Sequence, residues 1–303
     1  MNDLFAIETE DLRKHYDGGP GRIDALRGLN LQVPRGSIFG FLGKNGAGKT
    51  TTIKVLLGMA RATGGRATVF GLAAGSQDQS VAIRRRTGFV SEEKDLYELM
   101  TVEQIIRFTA SFYRSWRGDL EHQYLRSFEL PRDRKVKDLS RGMRTKLALL
   151  LALSRGAELL ILDEPTSGLD PAMTEEVLQA LVTHVARQEM TVFLSSHHLS
   201  HVDQIADRIA IIDHGRIVVS GALEDLLESY RRVQVVFEGD APDHTFRAGG
   251  VVSQQRRGRV LTAICSGNVE PIAAEARALG ASSVEIMPVP LKEIFLHTVN
   301  GDN

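Results

Sequence analysis

Gly43-Lys44-Asn45-Gly46-Ala47-Gly48-Lys49-Thr50 fits the spacing G-x-x-x-x-G-K-[ST], a loop that wraps phosphate oxygens. Its glycines let the backbone curl and turn successive N–H groups toward an anion. The apolar run from Ser37 to Leu42 reads as a buried strand leading in, and Thr51 to Leu57 as the first turns of a helix leading out. That helix would offer unpaired N–H groups and partial positive charge to the same anion. Lys49 suits the β- and γ-phosphates of a nucleotide, and the Thr50 hydroxyl suits Mg2+. The candidate phosphate-binding residues are Gly43, Asn45, Gly46, Ala47, Gly48, Lys49, Thr50 and Thr51.

Three further segments narrow the chemistry. Leu159-Leu160-Ile161-Leu162 reads as a buried strand and delivers Asp163 and Glu164 at its end, where α/β sheets hold ligands. Asp163 suits Mg2+ through its water shell, and Glu164 suits a general base acting on water. Ser140, before the long apolar helix that follows Met143, is a good N-cap and therefore part of a second anion-binding helix end. His197 follows the strand Thr191–Leu194 and can bond both a phosphate oxygen and water. His198 and His201 read as surface or structural residues, with zinc binding by the histidine cluster as the alternative.

These side chains need a layered scaffold to hold them. Strand-like and helical patterns alternate from Phe5 to about Ile212, which predicts an α/β core. Leu29–Val33 and Gly88–Ser91 read as strands, and Thr101–Tyr113 as a helix opened by a capping box with Gln104. Asp213-His214-Gly215-Arg216 reads as a hairpin turn between Arg208–Ile212 and Ile217–Ser220, and Ala222–Tyr230 as a helix. Residues 1–230 form the expected nucleotide-binding domain and residues 231–303 a small α+β domain. The second carries strands at Val233–Phe237, Val260–Ile264 and Ser283–Met287 and helices at Val269–Leu279 and Leu291–Val299.

With 303 residues, 43% hydrophobic and 25% charged, the composition is that of a globular protein. A net charge of −1 gives no field toward nucleic acid. Arg84-Arg85-Arg86 and Arg256-Arg257 read as a solvated helix face and a hairpin tip, so no nucleic-acid partner is expected. The single cysteine, Cys265, cannot form an internal disulfide and reads as a small buried residue. No run approaches the roughly 20 apolar residues of a spanning helix, and Met1–Leu4 lacks the character of a secretory leader. A cytoplasmic location is expected, with any membrane role exerted through a partner.

Together these segments resemble the nucleotide-binding subunit of an ABC transporter, over residues 5 to about 225. Gly43–Thr50 is similar to the family's Walker A loop and Leu159–Glu164 to its Walker B strand. Leu139–Met143 resembles the signature, most often Leu-Ser-Gly-Gly-Gln, Ser167–Asp170 resembles the D-loop, and His197 the switch histidine. Tyr16 lies where the family stacks an aromatic ring on adenine. The resemblance implies a P-loop core of ABC type with a helical signature subdomain, and ATP and Mg2+ as cofactors. It also implies head-to-tail dimers in which Lys49, Thr50, Asp163 and Glu164 of one subunit face Ser140 and Gly142 of the other across one nucleotide, with Tyr16 and Asp170 also among the nucleotide-binding residues. The implied partners are transmembrane permease subunits docking beside residues 92–113, and a second copy or a homologous ATPase. The nearest resemblance is to bacterial ATPases serving separate exporter permeases, at the cytoplasmic face of the cell membrane, and residues after Tyr230 look like that group's C-terminal extension.

Three residues depart from the family pattern. Glu92 stands where a Gln usually meets Mg2+, with Glu93 as an alternative alignment, and Arg141 and Met143 replace Gly and Gln in the signature. Arg141 is expected to add positive charge near the opposed nucleotide. A soluble ABC ATPase of ribosomes or DNA usually carries two ATPase units or a long coiled coil, and this chain has one unit without sustained heptads. A low-turnover nucleotide-gated regulator is the other alternative, and Asp163, Glu164 and His197 weigh toward real hydrolysis.

Overall fold

The computed structural model describes residues 4–18, 21–188, 190–247 and 249–300. The chain runs β1 (Phe5–Gly18), β2 (Gly21–Pro34), β3 (Ile38–Leu42), α1 (Lys49–Leu56), β4 (Gly64–Val69), β5 (Leu72–Ala73), α2 (Gln77–Arg86) and β6 (Thr87–Val90). It continues through α3 (Val102–Ala110), α4 (Gly118–Ser127), α5 (Arg141–Leu153), β7 (Leu159–Asp163), α6 (Pro171–Gln188), β8 (Thr191–Ser196), α7 (Leu199–Asp203), β9 (Arg208–Asp213) and β10 (Arg216–Ala222). It ends with α8 (Leu223–Ser229), β11 (Tyr230–Val236), β12 (Val251–Arg257), β13 (Val260–Ser266), α9 (Glu270–Ala278), β14 (Ser283–Pro288) and α10 (Leu291–Asn300).

β9, β3, β8, β7 and β6 lie side by side in that order, and their pairings are parallel from β3 outward to β6 and to β9. Every residue of β3, β7 and β8 is buried, which is why each carries an apolar run (Ile38–Leu42, Leu159–Leu162 and Val192–Leu194) rather than an alternating pattern. Phe193 on β8 packs between Phe39 and Phe41 of β3, with ring centroids 6.0 and 5.1 Å away. The register pairs Leu42 with Ser196 and Asp163 with Ser195. Three neighbouring strands therefore end at one level, and the residues that follow each of them meet there. A second, antiparallel sheet of β2, β1, β4 and β5 shares a core with β3, α1 and β7.

α3 begins with the expected capping box: Thr101 accepts from the Gln104 N–H, and the Gln104 side chain accepts from the Thr101 N–H. The helix stops at Ala110 rather than Tyr113, because Phe112 and Tyr113 bond three residues back and the Ser111 hydroxyl caps the Phe108 carbonyl. Thr101→Ala is expected to cost about 1 kcal/mol in urea-induced unfolding, the usual value of an N-cap. An unchanged unfolding midpoint would show that the box carries no stability. The hairpin at 213–216 forms with positive φ at His214 and Gly215, as a type I′ turn requires.

The expected solvated face of Arg84–Arg86 is exposed only at Arg85. Arg84 donates to the Leu57 carbonyl, and Arg86 makes a two-pronged bond to Glu158, each contact 2.6 Å, while lying over the Phe70 ring. Two of the three guanidiniums are thus structural.

By packing, the chain forms two compact units, Met1–Ile217 and Val218–Asn303. α8 belongs to the second because Leu226 and Leu227 pack on Tyr230, Ile264, Val289 and Ile294. In this unit β12, β13, β11 and β14 form an antiparallel sheet, and Val233, Val235, Leu261 and Ala263 pack with Ile272 and Ala276 of α9. β12 is an addition to the expected strands; the tip of its hairpin lies at Gly258 and Arg259, just past the Arg256-Arg257 pair. Cys265 sits in the core, where burial pushes its thiol up to about 11.

Candidate nucleotide site

The phosphate loop leaves β3 and enters α1. Gly46 and Gly48 have positive φ, 81° and 115°, so the loop uses backbone that side chains disfavour. Gly43 is needed for space, since an added Cβ would lie 2.6 Å from the Ile212 carbonyl. Asn45 and Thr50 are exposed, Ala47 is buried, and Thr51 is half-buried on the first turn of α1. The cradle is therefore shaped as an anion-binding loop at a helix start.

The Lys49 ammonium turns back over this loop and donates to the Gly43 carbonyl at 2.7 Å and the Lys44 carbonyl at 3.3 Å. It also stands 3.2 Å from Glu164 Oε1. Glu164 is buried, with a positive φ of 48°, and its backbone N–H is held by the carbonyl and hydroxyl of Ser195. Its other oxygen, Oε2, meets His197 twice: the backbone N–H at 3.3 Å and ring Nδ1 at 2.9 Å. Oε1 is buried without a hydrogen bond of good geometry, although the Lys49 charge is near. Asp163 Oδ1 accepts from the Ser195 hydroxyl at 2.5 Å. Ser195, to which the sequence reading gives no role, thus positions both acids. Lys49, Asp163, Glu164 and His197 are brought together.

His198 and His201 extend a stack of imidazoles from His197, with ring centroids 4.0 and 5.0 Å apart. Burial lowers the pKa of both, and neighbouring histidines add to the effect. No group of three or more His, Cys, Asp or Glu able to hold a metal occurs among the described residues. An Mg2+ ion held by Thr50, one carboxylate, water and phosphate oxygens needs no such cage, so the donor set fits.

Glu92 presents an exposed side chain. The buried residue of its loop is Lys94, 7% exposed, whose ammonium donates to the Glu92 carbonyl at 2.9 Å and the Glu164 carbonyl at 3.3 Å. Burial foremost, then the charge of Arg141, lowers its pKa to about 8. Nothing in the charge run Glu92-Glu93-Lys94-Asp95 distinguishes this lysine before folding.

Ser140 caps α5 by accepting from the Met143 N–H at 3.2 Å. A Cβ at Gly142 would lie 2.0 Å from Met173 Sδ, so the methionine side chain would have to move aside. Asp170 accepts from the Met173 N–H, so the D-loop and the signature meet at one methionine. Arg141 lies over Gly168, where a Cβ would meet its guanidinium at 2.3 Å, and donates to Ser167 at 3.5 Å. Its charge is thus directed at the D-loop of its own chain. Among the described residues no hydrogen bond or ion pair joins Ser140 or Gly142 to the Lys49–Glu164 cluster. Tyr16 is 39% exposed on β1, with the Lys14 ammonium 4.6 Å from its ring centroid.

A protein-family model described as ABC transporter matches residues 26–167. The daunorubicin/doxorubicin resistance ATP-binding protein DrrA of Streptomyces peucetius is 38% identical over 74% of this chain and 67% of its own length. A fluoroquinolones export ATP-binding protein of Mycobacterium tuberculosis is 38% identical over 71% of this chain and 72% of its own. The solved ATP-binding subunit of an ABC transporter superposes with a TM-score of 0.65 at 29% identity, covering 73% of this chain and 91% of that one. The chain belongs to the ABC transporter family, as its ATP-binding and ATP-hydrolysing subunit.

Proposed function

We propose that two such subunits close head to tail on MgATP and thereby drive a separate membrane permease, in the direction of export. The observation that carries this reading is Glu164, held at once by Lys49 and His197, while among the described residues no hydrogen bond or ion pair joins it to Ser140 or Gly142 of the same chain. A pocket half built in this way is completed by another subunit's capping hydroxyl and helix N-terminus. Thr50 and Asp163 would hold the Mg2+ ion, which supplies charge neutralisation at the β- and γ-oxygens. Lys49 exchanges Glu164 for phosphate oxygens when ATP binds. Glu164 then accepts the proton of the attacking water, and His197, on Oε2, holds the carboxylate in place. ATP contacts the closed pair more fully than the open subunits, so binding favours closure and loss of the γ-phosphate releases it. The export direction is supported by the names of the relatives, and no described helix is long and apolar enough to cross a membrane.

The permease would dock on an exposed aromatic ledge. Tyr97 is 60% and Phe112 67% exposed, and the Phe108 ring lies edge-on between them at 5.3 and 5.0 Å. Leu99, two residues beyond Tyr97, is also exposed, and exposed apolar groups of this kind mark interaction surfaces. The test is co-purification with a multi-spanning permease, followed by phosphate release with and without it. Stimulation by the permease is expected, and Tyr97→Ala with Phe112→Glu should abolish co-purification while basal hydrolysis persists. Retention of the permease by that variant would refute the docking surface.

A further inference from the structure

We propose that the second unit holds a binding cleft for a small hydroxyl-rich anion, a sugar phosphate or sugar acid, on the face of its sheet turned away from α9.

The strand register builds this cleft. Val233, Val235, Leu261 and Ala263 pack with α9, so the residues between them point to the opposite face. There Gln234 stands opposite Thr262, and Thr262 opposite Gln255, one polar side chain on each of β11, β13 and β12. Two residues before Gln234 on β11 comes Arg232, and two residues after Gln255 on β12 comes Arg257, so the register sets the two arginines at opposite corners of this polar row. α10 walls the Arg232 end: Glu293 pairs with Arg232, and His297 Nδ1 lies 2.6 Å from the Ser253 hydroxyl on β12. The result is a cleft of about 660 Å3, within the range of small-molecule sites.

The lining sets the chemistry of the occupant. Among the described residues, the side chains of Gln234, Thr262, Gln255 and Arg257 make no hydrogen bond or ion pair. Arg232 is also incompletely satisfied, since its Nε is buried without an acceptor although the guanidinium pairs with Glu293. Two guanidiniums set against one carboxylate leave the lining positive, which favours an oxyanion. Two amides and a hydroxyl lie between them. Each both donates and accepts, which matches hydroxyl groups that do the same. Val260 and Ile264 are the apolar members of the lining, so an apolar ligand would find little to bury against. The plain alternative is a sheet face open to water, which also carries polar residues. Such residues stand exposed, whereas Arg232, Gln234 and Thr262 are half-buried.

The experiment is calorimetry on the full chain with glucose phosphate, glucuronate and glucose as probes. At least one of the two anions is expected to bind at millimolar concentration or below, and glucose much more weakly. Binding of either anion alone supports the cleft and tells which oxyanion it takes. Arg257→Gln should weaken that anion about tenfold, the scale of one charge-assisted contact. Thr262→Val, which removes the hydroxyl at nearly constant volume, should weaken it about fivefold. Arg259→Gln removes the same charge from an exposed residue at the hairpin tip, outside the cleft, and should leave the affinity unchanged. Should Thr262→Val fail to fold, the two arginine variants decide. Absence of binding by both anions, glucose binding as tightly as they do, or equal loss in Arg257→Gln and Arg259→Gln overturns the proposal. So does binding of glucose phosphate that Arg257→Gln leaves intact, because the anion then sits elsewhere, the phosphate loop included.

Discussion

Glu164→Gln is expected to bind MgATP about as tightly as the unaltered chain and to hydrolyse it at least about a hundredfold more slowly, the scale of a lost general base. The amide keeps the size and shape of the carboxylate. Its single carbonyl oxygen can still accept from the His197 N–H, which now lies 3.3 Å from Oε2, while its NH2 group stands in place of Oε1. What it cannot do is take a proton from water. Because reopening follows loss of the γ-phosphate, this variant should accumulate as a closed dimer in the presence of MgATP. Phosphate-release kinetics and light scattering after gel filtration check the two halves of the expectation. Hydrolysis at the native rate would remove Glu164 from the role of base, and slow hydrolysis by a persistent monomer would break the link between closure and ATP.

The parts of this site that were legible in the sequence are those in which a fixed spacing is demanded by chemistry. A phosphate cradle must have glycine where φ is positive or space is short, as at Gly43, Gly46 and Gly48, and must place its lysine at the helix start. Buried parallel strands need an apolar stretch on both faces, so Ile38–Leu42 of β3, Leu159–Leu162 of β7 and Val192–Leu194 of β8 announce themselves. The residues that were not legible take their roles from neighbours distant in sequence. Lys94 sits among acids and looks solvated; only the packing of its loop on the residue after β7 buries it. Arg84 and Arg86 look like two more surface charges until Leu57 and Glu158 are brought to them. Ser195 is an ordinary strand residue until the register sets it beside Asp163. β12 is rich in Gln and Arg because much of it is exposed, and its pairing with β13 leaves little apolar pattern to read.

Lys49→Ala is expected to lower the affinity for both ATP and ADP by about a hundredfold, two charge-assisted contacts' worth, since the lysine serves the β- as well as the γ-phosphate. Titration of a fluorescent nucleotide measures this, and unchanged affinity would remove the phosphate loop from its assigned role. The same substitution should also reduce folding stability in the absence of nucleotide, by about 3 kcal/mol, because it leaves a buried carboxylate short of its cation. Lys49 and Glu164 are both almost wholly buried at 3.2 Å, so solvent screens the pair little. A double variant separates the two effects. Adding Glu164→Gln to Lys49→Ala neutralises the stranded charge, and most of the lost stability should return in urea unfolding while nucleotide affinity stays low. If the losses in stability simply add, the Lys49–Glu164 pair is a by-product of loop shape. If they cancel, the lysine is held by an internal carboxylate that phosphate must displace, and the general base becomes free to act only when substrate has claimed Lys49.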